Sequence, residues 1–326
     1  MPDSQKRPPI SPTLAITIGI LSASTASIFI RFAQADDVSS LVIAAWRLSL
    51  ASLILAPVAL LRHRAELRAL DRRAFLLALL SGTFLAIHFA TWITSLEYTS
   101  VASSVVLVST APLWVAILAP ITIREQVGRP VLIGMGLALV GVTIVGISDV
   151  CLPRLSSGQA LNVFTSLECP PLSEFFGGTA FLGDLLALAG ALTVAGYLLI
   201  GRSLRENMSL VPYIFVVYGM AALILVIIML AIGESPFGYE PQTYLWFLLL
   251  ALIPQLLGHS TYNWALGYLP ASFVSVTLLG EPISSAILAY FILDEVPTAL
   301  MIFGAILILI GIYIASRREV EPVAGV

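Results

Sequence analysis

Long apolar runs, each about as long as a bilayer-spanning helix, follow one another along almost the whole chain. A helix needs about 20 apolar residues to cross the hydrocarbon core, with a range of about 17–25. Residues 13–30, 98–123, 131–148 and 207–233 carry no charged side chain. Residues 38–61 hold only Arg47, 74–96 only His88, and 180–201 only Asp184. Residues 241–280 carry no formal charge apart from neutral His259 and are nearly long enough for two spans. Gly267-Tyr268-Leu269-Pro270 is the turn signal inside that stretch. The next span runs through Glu281 to Leu293, and 296–316 is the last. The pattern therefore predicts an all-α membrane protein of ten transmembrane helices. Strands of a membrane barrel would show about 10 residues of alternating polarity, and these runs do not.

Composition narrows the class further. The 326 residues are 59% hydrophobic and 11% charged, with a mean hydropathy of +0.99. A soluble domain averages about 45–50% apolar and about 25% charged, so a globule of this composition would lack the polar surface to stay dispersed. Disorder, collagen, coiled coil and a disulfide scaffold are excluded on the same ground. A net charge of -3 leaves no footprint for nucleic acid. With both termini cytoplasmic, 13 of the 16 Lys+Arg residues fall in inside segments, and only Arg154 falls outside. That asymmetry sets the orientation and places the chain in the cell membrane. Lys6, Arg7, the first apolar run and Ala33-Gln34-Ala35 imitate a cleavable leader. The run is too long for one, and Arg31 sits between it and the cleavage-like Ala33-Gln34-Ala35, so the segment is read as the first span.

An internal repeat is the strongest feature. A shift of 170 residues carries Tyr98 onto Tyr268, Pro112 onto Pro282, Glu125 onto Glu295, Gly134 onto Gly304 and Gly141 onto Gly311. Residues 96–144 and 266–314 share 14 identities in 49 ungapped positions. The domains are thus a first repeat, 14–148, a long extracytoplasmic loop, 149–179, and a second repeat, 180–315. Five spans per repeat is an odd number, so the second half enters the bilayer from the opposite side. Tyr98 and Glu295 then lie outside, and Tyr268 and Glu125 inside. Inverted repeats of this kind recur in secondary transporters, where two halves exchange conformations around one central site.

The stretch LEYTSVASSVVLVSTAPLWVAILAPITIREQVGRPVLIGMGLALVGVTIVG and its partner LGYLPASFVSVTLLGEPISSAILAYFILDEVPTALMIFGAILILIGIYIAS resemble the EamA repeats of the drug/metabolite transporter superfamily. Tyr268, Glu281-Pro282, Glu295, Gly304 and Arg47 match the family's pattern. The resemblance implies a ten-helix fold and transport of small metabolites, often by efflux and proton-coupled. The central loop is long for the family. The Lys/Arg pair of its sugar-phosphate exchangers is absent, which speaks against phosphorylated substrates.

Polar side chains deep in apolar spans mark the candidate site, because an ionisable group at the bilayer centre costs at least about 2.5–3.5 kcal/mol. At 1.5 Å per residue, Arg47 and Glu281 both fall near the midplane. One reading has Glu281 take a proton while Arg47 orients a carboxylate or holds Glu281 charged. The other makes them a buried ion pair, or has Glu281 satisfy a carbonyl freed by Pro282. His88 and Trp92 are four apart on one face, and Gln255, His259 and Asn263 form a stripe. These suit a proton relay, with interhelical hydrogen bonding as the plainer reading. The substrate-binding set is therefore Arg47, His88, Trp92, Gln255, His259, Asn263 and Glu281, and the aromatics Trp114, Tyr197, Tyr262 and Trp264 are further candidates for a cavity wall. Glu125 and Glu295 read as gate residues, loop pins or exposed helix-end carboxylates. Arg31 and Asp184 read as snorkelling side chains. Gly134, Gly136, Gly141, Gly304 and Gly311 are expected at close helix contacts. Cys151 and Cys169 face an oxidising compartment and are candidates for a disulfide.

No H-E-x-x-H, G-x-S-x-G, P-loop or Cys/His cluster occurs, so neither an enzyme nor a metal or cofactor site is expected. The reading is a secondary transporter moving a small metabolite, an amino acid, nucleobase or similar, by alternating access, outward and proton-coupled. Its partners are that substrate, protons and the lipid bilayer. An uncoupled facilitator, an intramembrane enzyme and a non-transporting scaffold are the alternatives.

Overall fold

The computed structural model describes residues 10–99, 101–150, 179–293 and 299–316. Cys151, Cys169 and Glu295 lie outside these residues. Among the described residues every regular element is helical. The first half contains α1 (Pro12–Ser24), α2 (Ala26–Ala35), α3 (Ser40–Arg62), α4 (Arg64–Ala69), α5 (Arg72–Tyr98), α6 (Val101–Val108), α7 (Ala111–Thr122) and α8 (Arg129–Val150). The second half contains α9 (Thr179–Arg205), α10 (Leu210–Ala231), α11 (Pro241–Leu250), a π-helical segment (Ala251–His259), α12 (Ser260–Ala265), α13 (Ala271–Thr277), α14 (Gly280–Ile292) and α15 (Ala299–Ser316).

Among the described residues, seven helical rods are long and apolar enough to cross a membrane: Pro12–Ala35, Ser40–Arg62, Arg72–Tyr98, Phe181–Arg205, Leu210–Ala231, Pro241–Ala265 and Ala271–Ile292. The other three expected spans fall on the shorter apolar helices Ala111–Thr122, Arg129–Ile144 and Ile302–Gly311. Large apolar side chains stand on the outer surface, among them Leu53 at 67%, Ile133 at 62%, Ile121 at 77% and Phe291 at 75% exposure. A surface of that kind suits lipid.

Several rods are broken for reasons legible in their residues. The first breaks at Thr25, where the hydroxyls of Ser22, Ser24 and Thr25 bond back to the carbonyls of Ile18, Ile20 and Ser22. Such back-bonding loosens and bends a helix. The pairs α6/α7 and α13/α14 both break just before a proline, Pro112 and Pro282, which then sits in the first turn of the restarted helix. Pro254 lies inside the π-helical segment and has no N–H to give to the helical ladder.

Helix bounds repeat at the 170-residue shift, with Ser40–Arg62 matching Leu210–Ala231 and Val101–Val108 matching Ala271–Thr277. So do contacts. A Cβ on Gly141 would lie 2.5 Å from the Gly304 carbonyl, and one on Gly311 would run into the Gly134 carbonyl. Each contact is the image of the other under the repeat, as a two-fold relation demands. Position rises along α8 as it falls along α15, so these equivalent helices run antiparallel. Gly136 was expected in the same contact, but a Cβ there would meet nothing within 4 Å. It lies on another face of α8.

Polar contacts sort into two ends. At one, Glu66 accepts from the Ser209 N–H at 2.7 Å and from its hydroxyl. At the same end, Glu125 accepts from the backbone N–H groups of Ala271 and Ser272 at 3.3 Å. At the other end, Glu97 accepts from the Ser40 N–H at 3.0 Å, and Asp36 accepts from Thr243 at 2.8 Å. Glu66, Glu97 and Glu125 thus neutralise the N-terminal ends of α10, α3 and α13. The pinning reading of Glu125 is the one the contacts match, since its side chain is only 17% exposed and Arg202 stands 3.6 Å away.

Arg31 does more than snorkel. Its Nη1 donates to the Leu96 carbonyl at 2.9 Å and its Nη2 to the Thr99 carbonyl at 3.4 Å, closing the end of α5. Arg202 donates to the Leu266 carbonyl at 3.0 Å, just past α12. Leu96 and Leu266 are repeat equivalents, so an arginine closes the C-terminal end of the third rod in both halves. Asp184 accepts from the Thr99 hydroxyl at 3.1 Å.

Candidate functional site

A cavity of about 50 Å³ lies where the broken rods meet. Four pairs of repeat equivalents are among the residues of its wall. Ser27 and Tyr197 both line it, as do Trp92 and Tyr262, Val108 and Leu278, and Ala111 and Glu281. The cavity therefore straddles the axis relating the halves, although the side chains on its two sides differ. Among the described lining residues Glu281 is the one that carries a carboxyl group, and its repeat equivalent is Ala111.

Four of the seven expected residues, His88, Trp92, His259 and Glu281, line this cavity. His88 stacks on Trp92 with ring centroids 5.9 Å apart and faces His259 at 6.5 Å. Its Nδ1 is 2.9 Å from the Gly190 carbonyl, which can only accept, so Nδ1 carries the proton in that contact. Tyr262 donates to Glu281 Oε1 at 2.7 Å. The Leu278 carbonyl near Pro282 is taken by the Glu281 backbone N–H at 2.9 Å. Glu281 is thus not needed to satisfy it, and its side chain stays on the cavity wall.

The other three stand behind the wall. Arg47 is fully buried, donates from Nε to Gln255 Oε1 at 2.8 Å, and rests its Cζ 4.2 Å from the centre of the Phe89 ring. No ion pair joins Arg47 to Glu281 among the described residues. Asn263 donates to the Tyr197 hydroxyl, to the Tyr218 hydroxyl at 3.3 Å and to the His259 carbonyl at 2.9 Å. The stripe of Gln255, His259 and Asn263 is therefore split three ways: Gln255 turns to α3, His259 to the cavity, and Asn263 to α9 and α10. The wider i→i+5 turn of the π-helical segment ending at His259 removes the simple i, i+4 alignment.

Of the further aromatics, Tyr197 and Tyr262 line the cavity, whereas Trp264 packs on Tyr268 with centroids 4.9 Å apart. Ser27, Ser109, Pro112 and Ser285 also line it. The three serines carry no signal in the linear sequence, because single serines in apolar spans are common, and only the broken rods bring them together with Pro112. Ser285 donates to the Ser24 carbonyl at 3.2 Å, tying α14 to the break in the first rod.

A largely apolar cavity that carries a few convergent polar groups, enclosed by interrupted helices inside a bundle with an apolar exterior, is the architecture of a multi-pass membrane transporter. The comparisons with known proteins agree. The chain belongs to the EamA-like transporter family, whose model matches it twice, over residues 11–147 and 181–317. It is 24% identical to an uncharacterized transporter of Archaeoglobus fulgidus over 247 residues, covering 74% of this chain and 76% of the relative. It is 27% identical to an uncharacterized transporter of Synechocystis sp. over 154 residues, 46% of each chain. A solved crystal structure shares the fold with a TM-score of 0.66 at 15% identity, covering 94% of this chain and 97% of the other.

Proposed function

We propose that the chain is a ten-span secondary transporter of the cell membrane, with both termini cytoplasmic, that moves a small metabolite outward by alternating access. The observation that carries this reading is a cavity walled by repeat-equivalent positions of two halves whose equivalent helices α8 and α15 run antiparallel. Two such halves can exchange conformations and so present one site to either face in turn. His88, Trp92, His259 and Glu281 contact the substrate from the wall, and Arg47, Gln255 and Asn263 lie one layer behind them. The aromatic lining suits an amino acid, nucleobase or similar small flat molecule. Glu281 is the proton carrier, because it is the one carboxyl group on the described cavity wall.

Reconstituted vesicles test this. The wild-type protein should show uptake driven by an imposed pH gradient. The Glu281→Gln protein should lose that dependence while keeping substrate exchange. Gradient dependence unchanged in the variant would remove Glu281 from coupling, and absence of any flux would remove the transport reading.

A further inference from the structure

Arg47 makes less use of its donors than a buried arginine ordinarily does. Nε is bonded to Gln255, yet Nη1 and Nη2, both buried, have no hydrogen-bond partner among the described residues. Because Nε can only donate, Gln255 must present its oxygen there, which leaves Gln255 Nε2 as a further buried donor without a partner. Trp92 Nε1, on an adjoining residue of the cavity wall, is a third. Buried polar groups are nearly always paired, and three neighbouring residues here offer donors alone. A guanidinium edge matches a planar two-oxygen acceptor in two parallel hydrogen bonds.

The position agrees with this. Phe89, whose ring meets the guanidinium, also stands 5.2 Å from the His259 ring and 6.3 Å from the Trp92 ring. Arg47 is therefore one aromatic ring behind a wall that His259 and Trp92 help to form. Reaching the fork from the cavity requires Phe89 or His259 to turn aside. Resting on the transport reading above, we infer that Arg47, with Gln255 Nε2 beside it, holds a carboxylate of the transported molecule, whose apolar or aromatic body lies against Trp92 and His88. A simple organic acid and a zwitterion share this chemistry.

Matched ligand pairs test the inference on the purified full-length chain in detergent, with thermal stabilisation as the readout. The probes are 3-phenylpropionate against 3-phenylpropanamide, and phenylalanine against phenylalaninamide and 2-phenylethylamine. Each carboxylate should bind at least tenfold tighter than its partner lacking one, the scale of a lost charge-assisted pair. Preference for phenylalanine over phenylpropionate would identify a zwitterion, and the reverse a simple acid. Arg47→Gln should abolish the acid preference, and Arg47→Lys, which keeps the charge without the fork, should weaken it. Size-exclusion behaviour and the unliganded melting temperature establish that each variant is folded. Equal binding of acid and amide by the wild-type protein overturns the carboxylate site and leaves transport standing. Stabilisation by none of the probes also overturns it, and vesicle flux then judges the transport reading separately.

Discussion

At the scale of single residues, carboxylates of this chain do different work according to depth. Glu281 sits on the cavity wall beside Tyr262, whereas Glu66 in α4 lies outside the spans and ties two elements together. Burial pushes the Glu66 carboxyl up, but hydrogen bonds from the Ser209 hydroxyl and N–H, together with His63, outweigh it and hold the group below its ordinary value of 4.5. A carboxyl group lowered in the folded state contributes stability above its unfolded value and loses it as pH falls through the folded one. Hydrogen exchange over residues 63–70 should therefore be slower in wild type than in Glu66→Gln at neutral pH. The two should converge as pH drops below about 4.5. A difference that persists unchanged to pH 3 would show that the contribution of Glu66 does not depend on its charge.

At the scale of elements, the α8/α15 contact depends on backbone approaching backbone. Without a hydrophobic force between helices in lipid, small residues allow the close packing that holds them. Gly141→Val should cost about 1–3 kcal/mol through overpacking against the Gly304 carbonyl. Gly136→Val, facing open space on the same helix, should cost far less. Melting of the two proteins in the same detergent compares them directly; equal losses would mean that helix propensity, and not the contact, sets the cost. The glycine pattern was readable from the repeat, but the facing direction was not, since Gly134, Gly136 and Gly141 differ only by rotation about one axis. The π-helical segment was equally invisible. Pro254 signals a local fault in the ladder, yet nothing in the run of residues states that the fault spans Ala251–His259 and turns Gln255 toward Arg47.

At the scale of the whole molecule, the two-fold relation joins the ends of the bundle to the cavity. Arg31 and Arg202 close equivalent rods at opposite ends, and the cavity lies between them on the shared axis. In intact cells, a membrane-impermeant maleimide should label Tyr98→Cys and spare Tyr268→Cys, with the pattern reversed in inside-out vesicles. Labelling of both from one side would contradict the inverted arrangement and the alternating-access reading with it.

The linear order of residues by itself determined the membrane class, the repeat and the turn at Gly267–Pro270, because each is a matter of local hydropathy or self-similarity. It also singled out the buried polar side chains, because in an apolar span any such group is conspicuous. Which of them share a wall was decided only by the tertiary structure. His88, Trp92, His259 and Glu281 meet because rods distant in the chain break at one level. Arg47, Gln255 and Asn263 fall behind them because a helix's rotation about its axis is set by packing against its neighbours, a quantity that spacing along the chain does not contain.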